Sequence, residues 1–201
     1  MPTSSLTDRV VQITHCAGLL RPRELRTYGI PRQYLSLAEK QGRVTRVGRG
    51  LYTVTGANVT ESHSLAQACK RVPRGVVCLL SALRFHNLTT QSPFEVWMAI
   101  GTKARIPRVT YPKLRIVRFS DKSLTFGVVE QTIEGVPVKL SSPAKTVADC
   151  FKYRNKIGQD VALEALRDCY RQRKATLDQI WEAATACRVA NVMRPFLESL
   201  S

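Results

Sequence analysis

The sequence predicts an α+β fold in two parts: short helices with a β-hairpin, followed by a mixed α/β domain. Apolar residues recur at helical spacing within residues 6–41, and two short β-prone runs follow between residues 43 and 54. Four more β-prone runs lie between residues 94 and 140, with helical patterns on both sides. They predict a small, mostly antiparallel sheet and C-terminal helices. We place the two domains at residues 1–56 and 57–201.

Three helices are predicted in the first domain, each from a local signal. The first covers residues 6–17, where apolar residues fall on one helical stripe. Pro22 and Pro31 begin the second and third helices, because proline is tolerated in the first turn of a helix. Gly42 suits the position just past the third helix. Residues 28–30 form a tight turn between the second and third helices.

A β-hairpin is predicted next, from residues 43–47 and 50–54 around a turn at Gly48 and Arg49. Three helices, with a tight turn before the third and a hairpin after it, form the element order of a winged helix-turn-helix. Apolar residues of the last two helices and of the turn would form its core: Leu25, Ile30, Leu35 and Ala38.

The outer face of the third helix is then free to enter a DNA major groove, which admits one α-helix. The residues expected to read DNA from this face are Arg32, Gln33, Ser36, Leu37 and Lys40. Phosphate contacts are expected from the start of the second helix and from the wing, at Arg21, Arg23, Arg43, Arg46 and Arg49. Two alternatives stay open: such modules also serve in protein interactions, and exposed arginines are often only solvated.

The second domain begins after a linker-like stretch at residues 55–58. Its predicted elements, in order, are helices over residues 64–71 and 76–86, β-prone runs over 94–100, 114–119, 128–133 and 136–140, and helices over 144–153, 160–170, 177–187 and 189–200. Glu134 and Gly135 form a short turn between the last two β-prone runs. Pro195 interrupts the last helical pattern, because proline removes a backbone donor.

Positive charge is the strongest compositional signal. The chain has 31 Lys and Arg against 15 Asp and Glu, a formal net charge of +16. Such a surface attracts polyanions, although an acidic protein or a membrane partner is an alternative. A second basic surface, which could bind DNA or RNA, is predicted between residues 71 and 122. Its bases are Arg71, Arg74, Arg84, Lys103, Arg105, Arg108, Lys113, Arg115, Arg118 and Lys122, and the alternative is strands whose outward faces happen to be basic.

No pattern points to a metal, a cofactor or an active site. The six cysteines include no C-x₂-C pair, so we expect core or surface thiols. His63 and His86 have no evident carboxylate or serine partner. Lys145 and Asp149 are four apart on a predicted helix, and we expect a surface ion pair worth a few tenths of a kcal/mol. The sequence therefore does not predict an enzyme, and a nucleic-acid-processing activity is the minor alternative.

The sequence shows no membrane-spanning or secretory segment. The longest apolar run is far shorter than the roughly 20 residues that a membrane helix needs, and no signal peptide is visible. We therefore expect a cytoplasmic protein with no membrane partner.

Two stretches of the chain carry a family resemblance. The first combines GIPR at residues 29–32 with RVGRGLY at residues 46–52. The second combines CLLSAL, FEVWMAI, KTVADCF, RNKIG and EAL, at residues 78–83, 94–100, 145–151, 154–158 and 164–166. Together they resemble the AbiEi antitoxins, the regulators of type IV toxin–antitoxin (abortive infection, phage defence) operons, over roughly residues 5–170. The chain is short for that family, which leaves open whether it keeps full antitoxicity.

The resemblance implies a repressor that binds inverted repeats in its own promoter through the winged helix. It implies that the C-terminal domain supplies antitoxicity, and that the partner gene encodes a nucleotidyltransferase toxin countered without a stable complex. By position, it assigns DNA reading to Arg32, Gln33 and Ser36, with the wing arginines on the backbone. The alternative function is an RNA-binding protein that protects the RNA target of the toxin.

Overall fold

The computed structural model describes residues 5–57 and 60–200 of the chain. They divide into two compact units, one formed by the described residues up to Lys70 with Thr132–Pro137 and the other by Arg71–Gln131 with the described residues from Val138 onward. Within the described residues, no helix combines the length and the apolar character that a membrane crossing requires.

Helices of the first unit lie close to their predicted positions. Helix α1 (Leu6–Ala17) begins with a capping box, in which the Ser5 hydroxyl accepts from the Asp8 amide and the Asp8 carboxylate accepts from the Ser5 amide. Pro22–Tyr28 is a 3₁₀ helix of seven residues, longer than the three or four residues that this form usually spans. Helix α2 (Gln33–Lys40) follows. Gly29, at φ +66, occupies the left-handed conformation that the tight turn between them requires.

The hairpin of the first unit pairs β1 (Val44–Gly48) with β2 (Leu51–Val54) in antiparallel register. Leu20, between α1 and the 3₁₀ helix, exchanges both backbone hydrogen bonds with Tyr52 at 2.8 and 3.0 Å. A third backbone segment thus joins the hairpin to the helices, as in a winged helix.

The predicted core of this unit is confirmed. Leu25, Ile30, Leu35 and Ala38 are all at most 3% exposed and pack together. The cluster is completed by residues from the other elements: Val10, Leu20, Val44 and Tyr52. Burial of these side chains is what fixes α2 and the hairpin in one body.

Helix α3 (His63–Arg71), as far as Lys70, and residues 132–137 complete the first unit. The Glu134 carboxylate accepts hydrogen bonds from the Thr60 amide and hydroxyl at 2.7 and 2.8 Å, and lies 2.5 Å from His63 Nδ1. His63 therefore has a carboxylate partner that the sequence did not reveal, because it lies 71 positions away. Gly18, at φ +62, packs against the Glu134 backbone so closely that a Cβ there would overlap its carbonyl oxygen.

The second unit is built on a mixed sheet. Its strands are β3 (Val76–Val77), β4 (Val96–Gly101), β5 (Leu114–Phe119), β6 (Val128–Ile133) and β7 (Val136–Ser141), in the order β5-β4-β3-β7-β6. β3 and β4 are antiparallel, whereas β4–β5 and β3–β7 are parallel. Glu134 and Gly135, both at positive φ, form the predicted two-residue turn between β6 and β7.

The prediction of a mostly antiparallel sheet is wrong, because β4–β5 and β3–β7 are parallel pairs. Strands that follow each other in sequence need not pair as a hairpin, and only the two-residue connection at residues 134–135 demands antiparallel pairing. The predicted helix over residues 76–86 is also divided, because Val76–Val77 forms a strand and helix α4 covers Leu79–Phe85.

Helices cover this sheet and enclose its core. They are α5 (Asp121–Thr125), α6 (Pro143–Lys152), α7 (Arg154–Ile157), α8 (Gln159–Arg171), α9 (Leu177–Ala186) and α10 (Ala190–Glu198). Helix α6 is buried from Ala144 to Phe151 and contacts α4, α8, α9 and α10. Pro195 lies inside α10 without ending it. The six cysteines form no disulfide; Cys16 is exposed and the other five are buried.

The Lys145–Asp149 pair lies at the centre of this core. Both side chains are 0% exposed, and Lys145 Nζ is 2.6 Å from an Asp149 carboxylate oxygen. The ammonium group also lies 4.5 Å from the centre of the Phe119 ring. The prediction of a surface ion pair is therefore wrong, because α6 is enclosed by neighbouring helices that the spacing of the pair did not reveal.

Candidate nucleic-acid interface

Helix α2 has one buried face and one exposed face. Leu35 and Ala38 point into the core, at 1% and 0% exposure. The five predicted reading residues are all exposed: Arg32, Gln33, Ser36, Leu37 and Lys40. At 100° per residue they span an arc of about 140°, which is one continuous helix face. The structure thus brings these five residues together, and their contact with DNA stays a prediction.

Arg32 occupies the N-cap position of this helix. Its carbonyl accepts from the Leu35 amide at 3.0 Å and from the Ser36 amide at 3.4 Å, so its backbone already belongs to the first turn. The side chain remains exposed. The N-terminal turn of α2 is therefore fixed by backbone hydrogen bonds, while the Arg32 guanidinium group can extend into solvent.

The hairpin follows α2 directly and is held against its C-terminus. The Arg43 amide donates to the Ala38 carbonyl at 3.0 Å, after a turn at Gly42 with φ +69. Arg46 and Arg49 are exposed, and Arg46 Nε donates to the Gly48 carbonyl at 3.3 Å. Both guanidinium groups are therefore presented by a hairpin whose position relative to α2 is set by backbone contacts.

Arg43 differs from the other wing arginines. One of its terminal nitrogens lies 2.7 Å from an Asp8 carboxylate oxygen. The pKa of Asp8 is held below its ordinary value, chiefly by hydrogen bonds from Ser5 and then by Arg43. Arg43 therefore links α1 to the start of β1, and a phosphate would have to compete with this carboxylate.

The remaining predicted phosphate contacts lie on the 3₁₀ helix. Arg23 is exposed, and Arg21 is half-buried at its N-cap position, where its amide donates to the Glu24 carboxylate at 3.0 Å. Two exposed residues of the same helix were not singled out from the sequence, Arg26 and Tyr28, the latter 51% exposed. Tyr28 is three residues from the core residue Leu25, a spacing that gives no sign of exposure.

The second basic set belongs to the other unit and is distributed over several elements. Arg74 follows α3, Arg84 lies on α4, and Arg71 is half-buried, so that burial lowers its pKa. Lys122 is exposed on α5. The other six are exposed and lie on β5 or on the connection that leads to it: Lys103, Arg105, Arg108, Lys113, Arg115 and Arg118. The structure therefore collects only this last group in one place.

In residues 5–57 and 60–200, no group of three or more His, Cys, Asp or Glu is arranged to hold a metal ion. Burial raises the pKa of the Asp149 carboxyl, an effect that Lys145 opposes. His86 Nε2 lies 2.8 Å from the Ser141 carbonyl oxygen, and burial lowers the pKa of its imidazole. Asp149 and His86 each have a hydrogen-bond partner inside the second unit.

A comparison with protein families matches the first unit. Residues 12–55 fit the family model described as transcriptional regulator, AbiEi antitoxin. The match runs from within α1 to the residue after β2, so it contains the 3₁₀ helix, α2 and the hairpin. No curated protein matches the chain significantly.

Proposed function

We propose that the chain is a sequence-specific DNA-binding repressor that acts as the antitoxin of a type IV toxin–antitoxin system. One observation carries this proposal: the exposed face of α2 stands beside a basic hairpin, inside the segment that matches an antitoxin regulator family. A helix presented in this way suits the major groove, and a flanking wing suits the adjacent phosphates. The site of action is then the bacterial cytoplasm.

The roles within this interface follow from side-chain chemistry. Arg32 can donate two hydrogen bonds to a guanine edge, and Gln33 can pair with an adenine. Leu37, 43% exposed, suits a thymine methyl group. Arg46 and Arg49 would neutralise phosphates, which adds affinity without sequence information.

The autoregulatory part of the proposal concerns the operator. A promoter with inverted repeats offers two half-sites, and each would accept one copy of the winged helix. We propose that the chain occupies such repeats upstream of its own gene. Altering one half-site should then leave a single, weaker complex in a gel-shift titration.

The test of the reading face is a gel-shift titration on the chain's own upstream DNA, with scrambled DNA as competitor at two salt concentrations. Arg32→Ala should cost about 1–3 kcal/mol on the operator and relax specificity at one base pair. Arg46→Ala should weaken binding to every sequence and reduce the salt dependence. The matched control is Arg167→Ala, an exposed arginine on α8, which should bind as the unaltered protein does.

Two results would overturn the proposed reading role. One is an Arg32→Ala variant that loses the same affinity for operator and scrambled DNA. The other is a complex that scrambled competitor removes as readily as operator does, because that would leave only nonspecific charge attraction.

As an antitoxin, the chain would counteract a nucleotidyltransferase-type toxin without forming a stable complex with it. Coexpression of the adjacent toxin gene with the intact chain should restore bacterial growth. Arg32→Ala should still restore it when both genes are driven from promoters that the chain does not control. Failure of the intact chain to rescue growth would separate a stand-alone repressor from an antitoxin.

A further inference from the structure

The connection between β4 and β5, residues 102–113, is an extended segment on the surface of the second unit. Because the two strands are parallel, with Val96 opposite Leu114 and Gly101 opposite Phe119, the connection must return along the whole length of the ladder. It does so without a helix or strand of its own. We call this segment the 102–113 loop.

Both ends of the 102–113 loop are held by hydrogen bonds. At its start, one terminal nitrogen of Arg118 donates to the carbonyl oxygens of Gly101 and Ala104, at 3.2 and 2.9 Å, and also to that of Thr102. At its end, the Val96 amide donates to the Lys113 carbonyl at 2.8 Å. The backbone of the loop is therefore held at both ends.

Burial alternates along the middle of the loop. Pro107 and Val109 are partly buried, whereas Ile106, Arg108 and Thr110 are exposed. This period of two is that of an extended chain with one face against the protein. The outward face therefore presents a row of side chains to solvent.

Exposed side chains along the whole 102–113 loop, and not only in this alternating stretch, combine positive charge with apolar groups. The four bases of the loop are all exposed: Lys103, Arg105, Arg108 and Lys113. Within the described residues none of them has an ion-pair partner, and there is no Asp or Glu from residue 96 to residue 120. Tyr111 is 59% exposed and Ile106 is 58% exposed. Phe94, 85% exposed, lies two residues before β4, at the same end of the ladder as Tyr111.

We propose that the 102–113 loop binds single-stranded nucleic acid. The four Lys and Arg side chains of the loop contact the phosphates, and the Tyr111 ring stacks on an unpaired nucleobase. Basic side chains with interleaved exposed aromatic rings are what single-strand grooves use, because every base offers a ring face for stacking. In a duplex those faces are already stacked on neighbouring base pairs, so the exposed ring of Tyr111 favours a single strand over a duplex. The loop belongs to the second unit, and the binding proposed for it does not depend on DNA reading by α2.

The test is a fluorescence-anisotropy titration of the full chain with a labelled RNA of about 12 nucleotides, within the roughly 4–16 nucleotides that such grooves cover. The same sequence as single-stranded DNA and as a duplex provides the comparison arms. Tyr111→Ala should weaken single-strand binding about tenfold or more, because base–aromatic stacking is worth roughly 1–3 kcal/mol. Tyr111→Phe keeps the ring and should bind within about twofold of the unaltered protein. Tyr170→Ala, an exposed tyrosine on α8, is the matched control and should have no effect.

The charged residues are tested by salt dependence. Arg105→Gln combined with Arg108→Gln should reduce the slope of log affinity against log salt by about 1.4, since each lost phosphate contact removes roughly 0.7 on a single strand. RNA bound more tightly than DNA of the same sequence would assign contacts to the 2′-hydroxyl, and equal affinity would assign phosphate and base stacking alone. Either result supports the proposal.

Two outcomes would overturn the proposal. One is a Tyr111→Ala variant that binds the single strand as tightly as the unaltered protein does. The other is a duplex that the unaltered protein binds as tightly as the single strand and that loses the same affinity on Tyr111→Ala. The operator assay separates this proposal from the repressor. Tyr111→Ala should leave operator binding unchanged, and Arg32→Ala should leave single-strand binding unchanged. Equal thermal unfolding of the Tyr111 variants and the unaltered chain excludes misfolding.

Discussion

Replacing Lys145 with methionine removes the cation of an ion pair that has no contact with solvent. Both members of the pair are 0% exposed, and their charged atoms are 2.6 Å apart. The other donors to the Asp149 carboxylate are the Ser141 hydroxyl, at a long 3.3 Å, and the Cys187 thiol at 3.4 Å, which is a weak donor. Lys145→Met therefore leaves a buried carboxylate with two weak hydrogen bonds and no neutralising charge.

The expected loss is about 3–5 kcal/mol in the free energy of unfolding, the usual cost of leaving one charge of a buried pair uncompensated. This is a large part of the roughly 5–15 kcal/mol by which domains are stable. Asp149→Leu added to Lys145→Met removes the remaining charge and should recover at least half of the loss, because apolar pairs often replace buried ion pairs without cost.

The loss should also depend on pH. Burial already raises the pKa of Asp149, and Lys145 opposes that effect. Without Lys145 the folded carboxyl keeps its proton to a higher pH than the unfolded one, whose ordinary value is 3.8. The folded state then binds more protons than the unfolded state above that value, so the stability of Lys145→Met should fall as pH rises.

Urea unfolding followed by tryptophan fluorescence reports on the second unit, which contains the ion pair. The two tryptophans of the chain, Trp97 and Trp181, both belong to the second unit, and Trp97 is in the same core as the pair. Lys152→Met, at the exposed end of α6, is the control and should change stability by less than about 0.5 kcal/mol. A loss of less than about 1 kcal/mol in the free energy of unfolding of Lys145→Met, constant with pH, would refute the reasoning. It would indicate that the pair is solvated, as in a surface ion pair.

Three further predictions concern the turn at Gly18, the Glu134 carboxylate and the 102–113 loop. Gly18→Ala should destabilise the first unit by more than about 3 kcal/mol, because its Cβ overlaps a backbone oxygen, whereas Gly29→Ala, with open space around it, should cost about 1–2 kcal/mol in a thermal-unfolding comparison. Burial raises the pKa of Glu134, but hydrogen bonds from the neighbouring imidazole and hydroxyl lower it overall, so its contribution exists above the ordinary value of 4.5 and is lost as pH falls further. The stability gap between the unaltered chain and Glu134→Gln should therefore close on acidification, and a gap that stays constant would argue against the carboxylate. Arg118→Gln should speed trypsin cleavage in the loop that it holds, while Arg115→Gln, on the same strand, should not; equal rates would show that the three carbonyl contacts do not order the loop.

Sequence patterns were most informative where structure is decided locally. The helices of the first unit and the hairpin follow from apolar spacing, proline and glycine within a few residues of each other. Leu25, Ile30, Leu35 and Ala38 were therefore placed in the core correctly, and the outward face of α2 follows by exclusion. That this face contacts DNA stays a prediction, as does the domain division at residue 56.

Tertiary contacts decided what local patterns could not. Which strands become neighbours depends on the packing of the whole sheet, so β4 and β5 are parallel although nothing in their sequences distinguishes that arrangement. His63 finds its carboxylate in residues 132–137, far along the chain.

Lys145 and Asp149 show the physical reason most directly. Their spacing of four residues determines that they meet on one helix, but whether they meet in water or in a core depends on what covers that helix. The sequence alone determined the local geometry of the pair, and only the helices packed around α6 determined its dielectric environment and therefore its energy.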